Sequence, residues 1–318
     1  MSAFVSVIIC TLNHAEYLRA TLRSISQVHL PEGILVEVIV VDNGSQDHTC
    51  DVVRSFAASP ANIQYYSELR RGQCYARNRA MAQAKGEILL WTDDDIRVPS
   101  SWISDMVTPL LSGEYQGTGG RVKMNPSLER PWMTRSHYIR LADTRSWTDD
   151  YAVMIGANMA FTRDVLKTIP AFDVALGPGQ LGFRDDTLFY SQMLVAQFKI
   201  ASVAQSVVEH NFEPSRLTYR YWLKNAVSNG KSTAYMAYHW QHETIYKPAL
   251  RELFWKSALA AFRLAQSRKY YDEEGCHRFE LKAVENVTFY QAIRKFSTTP
   301  RHYDRLGLLK KSVNVCSP

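Results

Sequence analysis

The sequence predicts an α/β protein: a doubly wound sheet flanked by helices, followed by a helical C-terminal extension. Three observations carry this. Over the first hundred residues, short unbroken apolar runs alternate with segments of helical apolar spacing, the pattern of a doubly wound sheet. Those runs end in polar tripeptides, at the strand ends where such a sheet gathers ligands. Beyond Pro214 the pattern turns helical, aromatic and basic.

Val5–Cys10 is an apolar run interrupted only by Ser6, as expected for a strand covered on both faces. Leu18, Leu22 and Ile25 then fall on one helical face. Leu35–Val41 is a second buried strand, with helical residues around Val52, Val53 and Phe56. Ile63–Tyr66 reads as a short strand, Tyr75–Ala84 as a small-residue helix and Glu87–Trp91 as a further strand. After residue 113 the rhythm loosens. Gly117–Val122 and Tyr151–Phe161 read as strands on either side of an irregular segment, 124–150, rich in Trp, Arg and Tyr and placed to close over ligand. Thr187–Ala196 reads as a helix and Phe198–Val203 as the closing strand. This division puts a catalytic domain at 1–212 and a helical extension at 213–318.

The charge follows the same division. Residues 1–212 carry 19 Lys and Arg against 22 Asp and Glu; residues 213–318 carry 18 against 9. The basic part suits anionic lipid heads, nucleotide phosphates or nucleic acid, or is a solvated surface. Five scattered cysteines without a C-x-x-C point to a reducing compartment rather than a disulfide framework. The N-terminal run lacks a positive leader region and reads as a first strand, and no apolar stretch reaches the ~18–20 residues of a membrane span. The expected location is cytoplasmic, including the inner face of a membrane.

Each strand end supplies polar groups to one rim. The first is followed by Thr11-Leu12-Asn13, the second by Asp42-Asn43-Gly44-Ser45, the fourth by Asp93-Asp94-Asp95. Three adjacent carboxylates repel one another unless a cation or a set of donors compensates them. They fit Mg²⁺ or Mn²⁺ shared with substrate phosphates, or the cap of the next helix. Asp42 can accept from a base or ribose, or simply close its own turn. Gly156-Ala157-Asn158 offers small residues where a ligand could approach the backbone, or marks a kinked strand. Asp185-Asp186 stands at a helix start, as a cap or as a general base. His210 follows an apolar strand and is a ligand to metal or diphosphate, or a surface group.

In order along the chain, SVIICTLN, VVDNGSQD, RGQCYARNRAMAQAKGEILLWTDDDI, GANMAF, FRDDTLF and VVEHN resemble the successive motifs of family-2 glycosyltransferases with the GT-A fold. The resemblance covers roughly residues 4–212. It implies a Rossmann-like, nucleotide-binding mixed sheet and inverting transfer from a nucleoside-diphosphate sugar with Mn²⁺ or Mg²⁺. It implies nucleotide-sugar contacts at Thr11, Asn13, Asp42, Arg77, Asp93, Asp94 and Asn158. Metal ligation is implied at Asp95, Asp93 and His210, and catalysis at Asp185 and Asp186, with Asp186 as base. Arg184 stands where the family commonly has Gly, and Asp185 where it commonly has Glu. The absence of Q-x-x-R-W argues against a processive synthase.

The implied partners are the donor and a glycan or lipid-linked acceptor in bacterial-type polysaccharide or glycolipid synthesis. The basic part would serve peripheral membrane contact, and nucleic acid is not expected. Residues 215–240 read as a helix pair laying aromatics on the catalytic domain. Residues 249–265 read as a helix pressing Leu250, Leu253, Phe254, Ala258, Ala261 and Phe262 into the core. The rival readings are a catalytically silent nucleotide-sugar-binding protein and a nucleic-acid-binding protein. A nicotinamide dehydrogenase is disfavoured because no G-x-G-x-x-G follows the first strand.

Overall fold

A computed structural model describes residues 3–56, 62–147, 153–244, 250–266 and 273–311. The catalytic half begins β1 (Ala3–Thr11), α1 (Ala15–Ser26), β2 (Ile34–Asp42), α2 (Thr49–Ser55), β3 (Ile63–Ser67), α3 (Gln73–Gln83) and β4 (Ile88–Asp93). It continues β5 (Ile96–Arg97), α4 (Trp102–Leu111), β6 (Gly117–Met124), α5 (Arg135–Arg140), β7 (Met159–Thr162), α6 (Asp185–Val195) and β8 (Ile200–His210). Then follow α7 (Tyr219–Tyr235), a π-helical turn (Met236–Gln241), α8 (Leu250–Gln266) and α9 (Arg278–Phe296).

The strands form one mixed sheet in the order β3-β2-β1-β4-β7-β6-β8-β5. β1 to β4 run parallel in its first half, and β7 turns antiparallel against both β4 and β6. The apolar runs are buried from both sides, as their composition requires. Val5, Val7 and Ile9 pack with α1, α2 and α4, while Ile8, Leu89 and Trp91 face α3 and α6. Register then fixes the rim: Thr11 lies beside Asp42 and Cys10 beside Asp93.

Three expectations change. The strand expected over 151–161 is only β7; 151 and 152 lie outside the described residues, and Val153–Asn158 turns instead of extending. The turn keeps Gly156 against Arg77, where an added Cβ would come within 2.2 Å of the guanidinium. The expected helix pair at 215–240 is a single long helix ending in the π-helical turn, with Tyr219, Trp222, Tyr235 and Trp240 buried. α8 does not bury the face assigned to it: Phe254 is 65% and Phe262 56% exposed. The core beneath this region is filled by residues of α7 and α9, including Trp222, Leu223, Leu281 and Val284, and α8 rides outside on α9.

The helical part is joined to the sheet by shared cores and by one buried cluster. Met124, Leu141 and Phe212 pack with Trp222 and Leu281. Asp173 accepts from the Tyr235 hydroxyl at 2.6 Å and the Tyr303 hydroxyl at 2.8 Å, and pairs with Lys310 at 2.5 Å. Among the described residues no helix is long and apolar enough to cross a membrane.

Candidate active site

The strand ends, the turn before β7, the start of α6, and α5 and α7 enclose a cavity of about 950 Å³. Its floor is the β4–β5 turn. The Thr21 hydroxyl bonds the carbonyls of Asp94 and Ile96, at 2.7 and 2.8 Å, and the Asn211 N–H donates to the Asp95 carbonyl. The three carboxylates are thereby held apart in direction. Asp94 Oδ1 meets His14 Nδ1 at 3.1 Å, and Asp95 Oδ2 meets His210 Nε2 at 3.3 Å and Arg216 at 3.4 Å. Asp93 opens toward the cavity and lies 3.9 Å from Arg77.

Electrostatics separates them further. Enclosure pushes the Asp93 carboxyl up to about 6, against the opposing pull of Arg77. Burial also opposes ionisation of Asp95, but His210 and Arg216 hold it well below the usual carboxylate range. Burial draws the His210 pKa down, yet the charge and hydrogen bond of Asp95 keep it raised. The hydrogen bond that His14 makes to Asp94 raises its pKa, against the pull of burial.

Ligand atoms of His14, Asp94 and Asp95 lie within 4.8 Å of one another. An imidazole and two carboxylates are a donor set that fits Mn²⁺ or Mg²⁺. This differs from the expected set of Asp95, Asp93 and His210. His14 was not singled out by sequence, although it follows the first strand end by only three residues.

On the opposite wall Asp186 is oriented by backbone. Its Oδ2 accepts from Gly156 N–H at 3.0 Å and its Oδ1 from Thr187 N–H at 2.6 Å. Asp185 turns inward and is held by Arg77 at 2.8 Å; burial raises its pKa and Arg77 opposes that. Both members of the expected pair line the cavity, and Asp185 also serves as counter-ion to a buried guanidinium. Arg77 is 4% exposed and stacks against Trp91 and Phe172, so it cross-links α3 to α6 at the cavity wall.

Thr11 lines the cavity, but Asn13, Asp42 and Asn158 do not. Asp42 is occupied by the Tyr65 hydroxyl and Ser45 N–H, both at 2.7 Å. Asn13 ties two rim loops together through Ser45 and Gln46. Asn158 is fully buried, accepts from Trp102 Nε1 at 2.9 Å and donates to the carbonyls of Arg121 and Ser206. Its amide fills the space beside Gly120, where a Cβ would come within 2.1 Å. Asn158, in the turn before β7, thus spends its amide on packing inside the protein.

A family model described as Glycosyl transferase family 2 matches residues 6–169, which hold this rim, its acidic turn and Gly156. The chain belongs to glycosyl transferase family 2. Among curated relatives of this family-2 glycosyltransferase, Glycosyltransferase AglE of Haloferax volcanii is 34% identical over 38% of this chain and 40% of its own length. Succinoglycan biosynthesis protein ExoM of Rhizobium meliloti is 24% identical over 70% of this chain and 72% of its own. The match thus spans less than half the length of the first of these relatives. The fold is that of a mannosyltransferase from Pyrobaculum calidifontis, solved in complex with GDP-Man and Mn²⁺. That likeness has a TM-score of 0.58 and 19% identity, covering 94% of this chain and 88% of the other. It confirms the GT-A architecture.

Proposed function

We propose that this protein is an inverting glycosyltransferase, passing a sugar from a nucleoside-diphosphate sugar to a hydroxyl of a glycan or lipid-linked acceptor. The observation that carries this is the facing of two unlike acidic groups across one cavity. Asp186, held by two backbone N–H groups, stands on one wall, and the His14–Asp94–Asp95 cluster forms the floor.

Thr11 borders the nucleotide end, and Asp93 with Asp94 faces the sugar and diphosphate. Asp186 takes the acceptor proton as the acceptor oxygen bonds to the anomeric carbon from the face opposite the diphosphate. The bond from that carbon to the diphosphate oxygen breaks in the same step, its electron pair leaving with the diphosphate, so the centre inverts. A divalent cation held by Asp95 with Asp94 and His14, and with His210 beside them, supplies charge compensation for the leaving diphosphate. Trp147 and Ile139 line the cavity and exclude water that would hydrolyse the donor.

Residues 1–212 form the catalytic unit in this reading, and the basic part from 213 completes the acceptor wall. The exposed Phe254 and Trp255 of α8, beside a basic C-terminal composition, support peripheral contact with an anionic membrane surface. Polysaccharide or glycolipid synthesis is the setting we infer, supported by the name of the ExoM relative. A panel of nucleotide-sugars scored for nucleoside-diphosphate release tests the reading. One donor should be turned over in the presence of Mn²⁺ or Mg²⁺; inertness toward every donor at all metal concentrations would sink it.

A further inference from the structure

The acceptor end of the cavity carries more positive charge than the reaction needs. Arg135 and Arg140 of α5 and Arg184 at the start of α6 all line it, together with Asn225 of α7. Among the described residues neither Arg135 nor Arg184 has a salt-bridge partner. Arg184 adopts a left-handed backbone at φ 70° and donates through Nε to the Thr233 hydroxyl, a neutral acceptor. Burial lowers its pKa, as expected for a cation short of counter-charge. Arg140 pairs with Glu285, but that carboxylate also serves Lys282 at 3.3 Å.

A second observation points to a ligand. Asn225 is 4% exposed, and its Oδ1 accepts from Arg140 at 3.1 Å. Because a guanidinium only donates, this contact fixes the amide orientation. Among the described residues its Nδ2 is then a buried donor with no acceptor. A buried N–H left unpaired is costly, so the site is built for an incoming oxygen.

We propose that this end of the cavity binds a phosphate group carried by the acceptor, close to the hydroxyl that Asp186 deprotonates. Three guanidinium groups and an amide N–H offer more donors than the two oxygens of a carboxylate can take, and they match the oxygens of a phosphate ester. Arg216, by contrast, is spent on Asp95 at the donor end. The proposal deepens the transferase reading and rests on it for the acceptor's role. The phosphate itself can belong to a soluble phosphate ester or to a lipid headgroup.

The test is binding in the full chain, without turnover. A titration followed by protein amide chemical shifts should detect binding of sn-glycerol 3-phosphate but not of glycerol. The double variant Arg135→Gln/Arg184→Gly removes two cations that hold no ion pair, and should raise the Kd for the ester at least tenfold. Co-sedimentation with phosphatidic acid vesicles, against phosphatidylcholine vesicles, forms the lipid arm. A loss of binding in the double variant in either arm supports the site and identifies the source. An unchanged Kd in both arms, with the variant folded by circular dichroism, overturns it. Donor turnover by the wild-type protein is read separately, so failure of the transferase reading is distinguishable from failure of the phosphate site.

Discussion

Arg77 and Asp185, 108 residues apart in the chain, form an ion pair of 2.8 Å with both side chains at most 7% exposed. The pair joins α3, which packs beside the strand bearing the acidic turn, to α6, which bears the proposed base. Removing one member of such a pair leaves the other charged and buried. Arg77→Met should therefore destabilise the fold by about 3–5 kcal/mol. Adding Asp185→Leu should recover much of that loss. Denaturant unfolding of the two variants checks this; a double variant no more stable than the single one would show that the pair is not coupled.

Asp186→Asn keeps one acceptor oxygen, so it retains only one of the hydrogen bonds from Gly156 and Thr187, and it cannot take a proton. Sugar transfer should fall by about 10²–10⁴-fold with donor affinity preserved. Steady-state transfer and equilibrium nucleotide binding measure the two effects separately, and wild-type transfer would remove Asp186 as base.

Chelation should stop transfer, and Mn²⁺ or Mg²⁺ should restore it. Asp95→Ala should lose transfer by on the order of 10²-fold or more, with no rescue by added metal. Metal titrations of wild type and variant, followed by nucleoside-diphosphate release, read this directly. Full activity in Asp95→Ala would rule out its role at the floor.

Asn158 separates the packing role from a binding one. Asn158→Ala should cost roughly 1–3 kcal/mol for each buried group left unpaired, at Trp102, Arg121 and Ser206. In the fraction that folds, donor KM should stay at the wild-type value. A selective rise in KM without loss of stability would restore the nucleotide contact read from the sequence.

The Asp173 cluster gives a pH dependence. Burial raises this carboxyl, but Lys310 and Tyr235 outweigh it and hold the pKa below the ordinary 3.8. The stabilisation is thus fully present above that ordinary value and is lost as pH falls through the lowered one. Asp173→Asn should be less stable than wild type by roughly 1–3 kcal/mol near neutrality. Thermal unfolding across pH 2 to 7 should show the two curves converging at the acid end; a constant gap would mean that the carboxylate charge contributes nothing.

The strands were legible because residues covered from both sides are mostly apolar, as in Val7–Ile9, with the buried Ser6 and Glu37 satisfying one another. The acidic turn, His210 and Asp186 were legible because strand and helix ends are where a sheet of this kind exposes polar groups. The motif around Arg77 is visible in the sequence, but its counter-ion, lying 108 residues away, is not. Asn158 was misplaced for a related reason: a small polar residue after glycine looks the same whether its amide faces ligand or a buried indole. Helical spacing in α8 gave an apolar face but not its direction, which depends on how completely α7 and α9 fill the space beneath.

The Asp173 cluster has a consequence for synthesis. A ribosome-bound chain that has emerged only through β8 already contains the carboxylate but neither of its tyrosines nor its lysine. In that nascent chain Ala175 N–H can already bond the carboxylate, but its side-chain partners arrive only with α7 and the C-terminal residues, so this shoulder of the protein locks late, after the strands it rests on have assembled.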